Sequence, residues 1–523
     1  VYCCFWDIKD LIKQNDSFND CLKIRKPADN VNSTKVFKED KHGSIASEAQ
    51  MNRRSLLFIV IGLISIILVS SLIAYELGFI KSSGPSANSS GALWQRPIEN
   101  FANSLAADDG KVFTTDNFDN LNCFDSQNGK SIWNGTGDFY SGALAVLGSQ
   151  IYVGLQNGRV GCLDENTGKL LWTFQNEPAP NSIFKGSPEI IVKDGQVFAI
   201  SDTISAHNAT TGELLWQASP TGNNIGTIMQ PNNTWTGGSV TGYPLNGDPF
   251  DGSSVYVTTG DSSSAYFFKL DTDNGTVLWR SSVTWNDWAP PEVNILPSVL
   301  ATSQGQVIIE NMLNSNPQNP VYRPTLLSLN STSGKELWSI NVGATWIYNP
   351  TVYNNLLLFA ASNGYFYALN LADGTIAWKT KVDIQNLFSL NQADNVLNST
   401  LGTSPMQIDS QNQRLFWSFA GKQGGTSSNY TGILCSLDLA NGNVTWTKQI
   451  EDTWVGAPFG APLAGLAVNN GKIFLTGNNA LWIFNASTGD LVQSQQFDHY
   501  ITPPIVLGNE TFVATDLWLT AYA

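Results

Sequence analysis

The chain has 523 residues and 56.9 kDa, with 42% hydrophobic but only 14% charged residues, against roughly 25% charged in an average soluble protein. This excludes a coiled coil and a charged disordered chain. A net charge of −15 and a pI near 4.6 argue against partners built on a phosphate backbone. Six cysteines are too few for a disulfide scaffold, and histidines at 42, 207 and 499 are too scattered for a His-based metal site.

In chain order, residues 1–54 are polar and lack clear periodicity. They are predicted to be a cytoplasmic tail, either disordered or a mis-called extension, because Met51 stands directly before Asn-Arg-Arg. Residues 55–77 follow as a predicted transmembrane anchor. Within them Leu56 to Tyr75 is an uncharged run of twenty residues, enough to cross about 30 Å of hydrocarbon at 1.5 Å per residue. A cleaved signal peptide is the rival explanation, but such apolar regions are shorter, about 7–15 residues, and end in a small-residue cleavage site. Arg53 and Arg54 precede the span, and beyond Lys81 there are 17 basic against 34 acidic residues. The positive-inside rule then places the N-terminus in the cytoplasm and the rest outside the cell membrane as a single-pass protein.

Residues 78–91, with the run SSGPSANSSG, form a flexible linker. Beyond the span lie eleven N-x-S/T sequons, at Asn88, Asn134, Asn208, Asn232, Asn274, Asn330, Asn398, Asn429, Asn443, Asn485 and Asn509. These are candidate glycosylation sites on exposed turns of an extracytoplasmic surface.

From residue 92 to 523 the sequence repeats. The pattern Asp/Asn-x-x-x-Gly-x-x-x-Trp is complete seven times, ending at Trp133, Trp172, Trp216, Trp279, Trp338, Trp378 and Trp446. An eighth copy, NASTGDLVQ, ends at Gln493 instead. Each copy predicts a strand ending in Asp or Asn, a tight turn whose Gly takes positive φ, and a strand carrying Trp. Two more short strands precede each turn; ALAVLGSQ, IYVGLQ and RVGCLD are one example. Four-stranded antiparallel units repeated about an axis make an all-β fold, a β-propeller, with each Trp in the seam to its neighbour. Ala92-Leu93-Trp94 has the look of a lone outer strand and residues 510–523 of inner strands lacking one. Their pairing would close the ring and remove two edges. The raw count is nine units; eight blades are expected, because propellers typically have about four to eight.

The TGK-x-x-W repeat resembles that of the quinoprotein family over residues 92–523. That family includes pyrroloquinoline quinone (PQQ) dehydrogenases and also non-catalytic propellers that scaffold other proteins. Residues 234–266 are similar to the quinoprotein alcohol dehydrogenase segment with Gly-Gly, Asp-Pro and a TGN motif. The resemblance implies Asp261, in place of that motif's Asn, as a calcium ligand, with Asp202 as a further metal ligand. VTWNDWAPPEVN, residues 283–294, implies Asp287 as the catalytic base when aligned on Trp279, or Asn286 at that place when aligned on Val293-Asn294. Trp235, Trp285 and Trp288 are candidates to stack on a planar cofactor. A base is needed to take the alcohol proton while hydride moves to the quinone, and a cation to make the quinone more electrophilic.

Against an active dehydrogenase, the calcium-ligating Glu with its Gly-x-Arg-Gly has no counterpart. No Arg falls near 300–306, no adjacent Cys pair lies beyond the span, and no C-x-x-C-H occurs. Cys123, Cys162 and Cys435 are expected to be buried thiols. The sequence therefore predicts a membrane-anchored, extracytoplasmic binding or scaffold domain for a protein or glycan partner. The alternative is a PQQ- and calcium-dependent alcohol or sugar dehydrogenase.

Overall fold

The computed structural model describes residues 91–523, apart from short connections and the longer ones at 176–187, 219–249, 285–297, 315–321, 383–401, 423–429 and 453–462. The predicted tail, anchor and nearly all of the linker lie outside the described residues. Among the described residues no helix is long and apolar enough to cross a membrane.

These residues form nine antiparallel sheets. In chain order the blades are 1 (102–136), 2 (139–175), 3 (189–218), 4 (250–284), 5 (298–341), 6 (347–381), 7 (402–452) and 8 (463–496). Blade 9 joins both ends of the domain, because Ala92–Pro97 pairs antiparallel with Trp518–Tyr522. The predicted closing strand is therefore in place.

The expectation of eight blades is corrected to nine. Blade 4 keeps three strands plus the bridge Phe250–Val255, and blade 7 survives a first strand broken into Gly402–Thr403 and Gln407–Asp409. Neither irregular unit drops out of the ring. Eight copies of the turn motif supply eight blades, and the shared blade makes the ninth.

Strand order follows sequence order in blades 1 to 8, with Ala92–Pro97 added outermost in blade 9, and in most successive blades the first strands lie against one another. The core is correspondingly divided. Nine apolar clusters each fill one seam between neighbouring blades.

The repeated motif builds these seams. In blade 2, Gly168 N donates to Asp164 O (2.8 Å), closing the turn, while Asp164 Oδ1 accepts from Thr167 N. Gly168 has φ of 66°, and a Cβ there would stand 2.6 Å from Trp133 Cε3 of blade 1. Glycine is thus required twice, for backbone conformation and for the indole lying flat across it. That indole also donates from Nε1 to Glu165 O (2.9 Å). The same donation, to the residue after the turn's first Asp or Asn, is made by Trp94, Trp172, Trp216, Trp279, Trp338, Trp378 and Trp446.

The ninth seam explains the missing tryptophan. Gln493 faces blade 9, whose two outer strands, Trp518–Tyr522 and Ala92–Pro97, are not consecutive in sequence, so no motif turn joins them to receive an indole. Gly91 lies there instead, its Cβ position 2.8 Å from Gln493 Oε1.

All nine outermost strands also share a bulge. The ladder skips the residue just before the Trp position, for example Leu171 between Leu163↔Leu170 and Cys162↔Trp172. Bulges of this kind blunt an exposed edge against pairing with another sheet.

Candidate functional site

Antiparallel order sorts the connections onto two faces. On the turn face, tight hairpins join first to second strands, and the motif turns join third to fourth strands. Asp109-Gly110, Asp194-Gly195 and Asn470-Gly471 have both residues at positive φ, as two-residue hairpins require. On the opposite, loop face leave the second-to-third connections and the crossings from one blade to the next.

In sequence, the predicted site residues follow or precede described strand ends that border the loop face. Asp202 lies between strands Gln196–Ile200 and Ile204–Asn208, and Asp261 between Ser254–Gly260 and Ser264–Asp271. Trp285, Asn286, Asp287 and Trp288 follow Val277–Thr284, and Trp235 falls between blades 3 and 4. The strand ends that bound them belong to consecutive blades, 3 to 5. Asp202, Asp261, Asp287, Trp235, Trp285 and Trp288 themselves lie outside the described residues. Among the described residues no three His, Cys, Asp or Glu side chains group closely enough to hold a metal ion.

Two carboxyl groups that sequence reasoning did not single out occupy the loop-face ends of second strands. Asp116, in blade 1, is buried and accepts from Asn120 N (2.9 Å), Asn120 Nδ2 and Asn100 Nδ2 (2.9 Å). It ties down its own connection. Glu310, in blade 5, is opposite Leu326 and two residues from Ile308, so it shares their face toward blade 6. That seam is lined by Leu326, Ile347, Phe359 and Ala361. Glu310 keeps some exposed surface, yet desolvation in the seam pushes its carboxyl up to about 8. A carboxylic acid kept protonated near neutral pH is a proton donor rather than a cation ligand. The other blades carry Thr115, Gly154, Ile200, Ala360, Ser418, Thr476 or Ala514 at this place, so comparing blades would have exposed it.

The thiols are not reactive centres. Cys123, Cys162 and Cys435 are buried and unpaired with one another. Burial pushes Cys123 and Cys162 up to about 12, and Cys435 higher still, so the nucleophilic thiolate is suppressed. His207 is stacked on Phe174 of blade 2 with ring centroids 3.5 Å apart, and burial lowers its pKa.

The rim is the third surface. Every blade exposes at least one large apolar side chain on its outermost strand. Blades 2, 3, 4 and 8 each expose a pair: Leu170 and Leu171, Leu214 and Leu215, Val277 and Leu278, Leu491 and Val492, all 45–59% accessible. The bulge residue is one member of each pair. Of the predicted glycosylation sites, Asn134, Asn274, Asn443, Asn485 and Asn509 are exposed, and Asn208 and Asn330 are half-buried. Asn88, Asn232, Asn398 and Asn429 lie outside the described residues.

Comparison with known proteins agrees with this architecture. The chain is 25% identical over 317 residues to tetrathionate hydrolase of Acidithiobacillus ferrooxidans, covering 58% of this chain and 56% of that protein. It is 23% identical to quinohemoprotein alcohol dehydrogenase ADH IIB of Pseudomonas putida (57% of this chain, 46% of that one). It is 21% identical to outer membrane protein assembly factor BamB of Yersinia pestis (58% and 64%). The chain thus spans about half to two thirds of the length of these relatives. Among solved structures, BamB from Moraxella catarrhalis is similar at a TM-score of 0.45 and 13% identity, covering 82% of this chain and 98% of that one. The family described as outer membrane protein assembly factor BamB, built of PQQ-like repeats, matches residues 85–261, 201–315 and 268–516. The chain belongs to that family of PQQ-like repeat propellers.

Proposed function

We propose that this propeller is a scaffold domain, held at a membrane by residues 55–77 and facing out of the cytoplasm, that docks a protein partner. The observation carrying this reading is the rim: nine outermost strands, each with an exposed apolar side chain, doubled to pairs on blades 2 to 4 and on blade 8. Contiguous exposed apolar surface on a soluble domain commonly marks a protein interface. The bulge on each outer strand keeps that surface from pairing indiscriminately with other sheet edges, so contact is left to side chains. Membership in a family described as an assembly factor supports the same reading.

The quinohemoprotein relative supports the second reading, a PQQ- and calcium-dependent dehydrogenase acting on an alcohol or sugar through Asp202, Asp261 and Asp287. Under the scaffold reading no cofactor is needed.

The test places a photo-crosslinking amino acid at Leu171, Leu215 or Leu278 in the full chain, in its own membranes. A discrete protein adduct that is lost on Leu214→Glu is expected. The absence of any discrete adduct from all three positions would overturn the rim as a docking surface.

A further inference from the structure

We infer that the turn face is glycosylated, with N-linked saccharides on Asn208, Asn274, Asn330, Asn443 and Asn485 of blades 3, 4, 5, 7 and 8. This rests on the extracytoplasmic placement proposed above, but not on the scaffold role. All five asparagines belong to motif turns, and each begins an N-x-S/T sequon.

The two ends of the side-chain amide do different work. Asn208 Oδ1 accepts from Thr210 N (2.9 Å) and Thr211 N (3.0 Å), and Asn330 Oδ1 from Thr332 N (3.1 Å) and Ser333 N (2.9 Å). Asn485 Oδ1 accepts from Ser487 N (2.9 Å) and Thr488 N (3.1 Å), and Asn274 Oδ1 from Thr276 N (2.9 Å). In these four the oxygen therefore holds the turn. In none of the five does Nδ2 donate to another described residue. Asn370 stands at the same turn position in blade 6, where the sequence N-L-A is no sequon, and there Nδ2 is spent on Thr375 Oγ1 (2.9 Å). The hydroxyl residues completing the five sequons, Thr210, Thr276, Thr332, Thr445 and Ser487, are all exposed. Asn509 differs: Thr511 is fully buried and accepts from Asn469 Nδ2 (3.2 Å), so the folded domain hides half of that sequon.

A substituent on Nδ2 thus leaves the turn's hydrogen bonds intact. The donor is a saccharide linked through phosphate to a polyprenyl lipid. Nδ2 forms a bond to the sugar's C1, the C1–O bond to phosphate breaks, the lipid phosphate leaves and one amide proton is lost to base. No oxidation or reduction is involved. Five saccharides would coat the turn face with polar bulk and leave the opposite, loop face uncovered.

The experiment is glycopeptide mapping by mass spectrometry of the full chain purified from its own host's membranes. Saccharide is expected on all five peptides. Asn208→Asp, Asn330→Asp and Asn485→Asp should each remove one saccharide and leave unfolding unchanged, since Asp125, Asp164, Asp271 and Asp438 hold the same turn in other blades. Unmodified peptides at all five, or saccharide confined to Asn232, Asn398 and Asn429, would overturn the inference. External protease on intact cells separates the two failures. A cleaved but unmodified propeller overturns the glycosylation alone, whereas a protected and unmodified one overturns the placement as well.

Discussion

Replacing Gly168 by alanine tests the seam with its own internal control, Gly195→Ala. Both glycines have positive φ, 66° and 76°. At Gly195 an added Cβ meets nothing within 4 Å, so the cost is the left-handed backbone alone, about 1–2 kcal/mol. At Gly168 the Cβ would stand 2.6 Å from the Trp133 ring, which must move. Displacing it weakens the 2.9 Å bond from Nε1 to Glu165 O, about 1 kcal/mol, and strains the packed seam by a further ~1–3 kcal/mol. The sum is about 3–6 kcal/mol for Gly168→Ala against 1–2 kcal/mol for the control. Urea unfolding followed by tryptophan fluorescence measures both. Equal losses for the two variants would refute the claim that glycine is there to admit the indole.

Three further outcomes follow from the same geometry. Glu165 is 1% exposed and paired at 3.1 Å with Lys111 of blade 1, whose half-buried ammonium also lies 3.9 Å from Asp109, so Glu165→Ala should cost ~1.5–3 kcal/mol, the worth of a hydrogen bond to a charged group; adding Lys111→Met should recover part of it in a double-mutant cycle. Glu310 binds its proton more tightly folded than unfolded, so between 4.5 and about 8 stability should fall with rising pH, by up to ~1.4 kcal/mol per unit. Glu310→Gln should flatten that slope in unfolding measured from pH 5 to 8.5. His207 has the opposite sign: its pKa is lowered by burial, so its contribution is complete above the ordinary histidine range and is lost as pH falls below it. His207→Phe should remove that loss in melting curves taken at acidic pH.

The ring was legible from sequence because its seams depend on two side chains with no substitute, a glycine that can be crowded and an indole that can cross it. They recur at fixed spacing, so the strands between them and the closing strand at Ala92–Pro97 follow. The blade number was harder to read. Among the described residues blade 4 shows only the bridge Phe250–Val255 at the place of a first strand and blade 7 interrupts its own, and nothing in sequence tells that such a unit still fills its seam. In sequence Gln493 is only a departure from the repeat, whereas in the fold it marks the junction where no hairpin exists to receive a tryptophan. The nine bulges were invisible, because a skipped residue leaves no compositional trace. Asp116 and Glu310 were missed for a related reason: each is a single carboxyl in an apolar strand, and only register shows that one is satisfied by asparagines while the other faces a seam. The six residues inferred from the dehydrogenase resemblance lie outside the described residues, and motif spacing fixes their order along the chain but not distance in space.

The most direct test of the scaffold claim is calorimetric titration of the full chain with PQQ, with and without Ca²⁺. The account predicts no heat of binding to folded protein under either condition. Calcium-dependent binding at micromolar affinity or tighter, abolished by Asp261→Ala, would contradict it and establish the dehydrogenase instead.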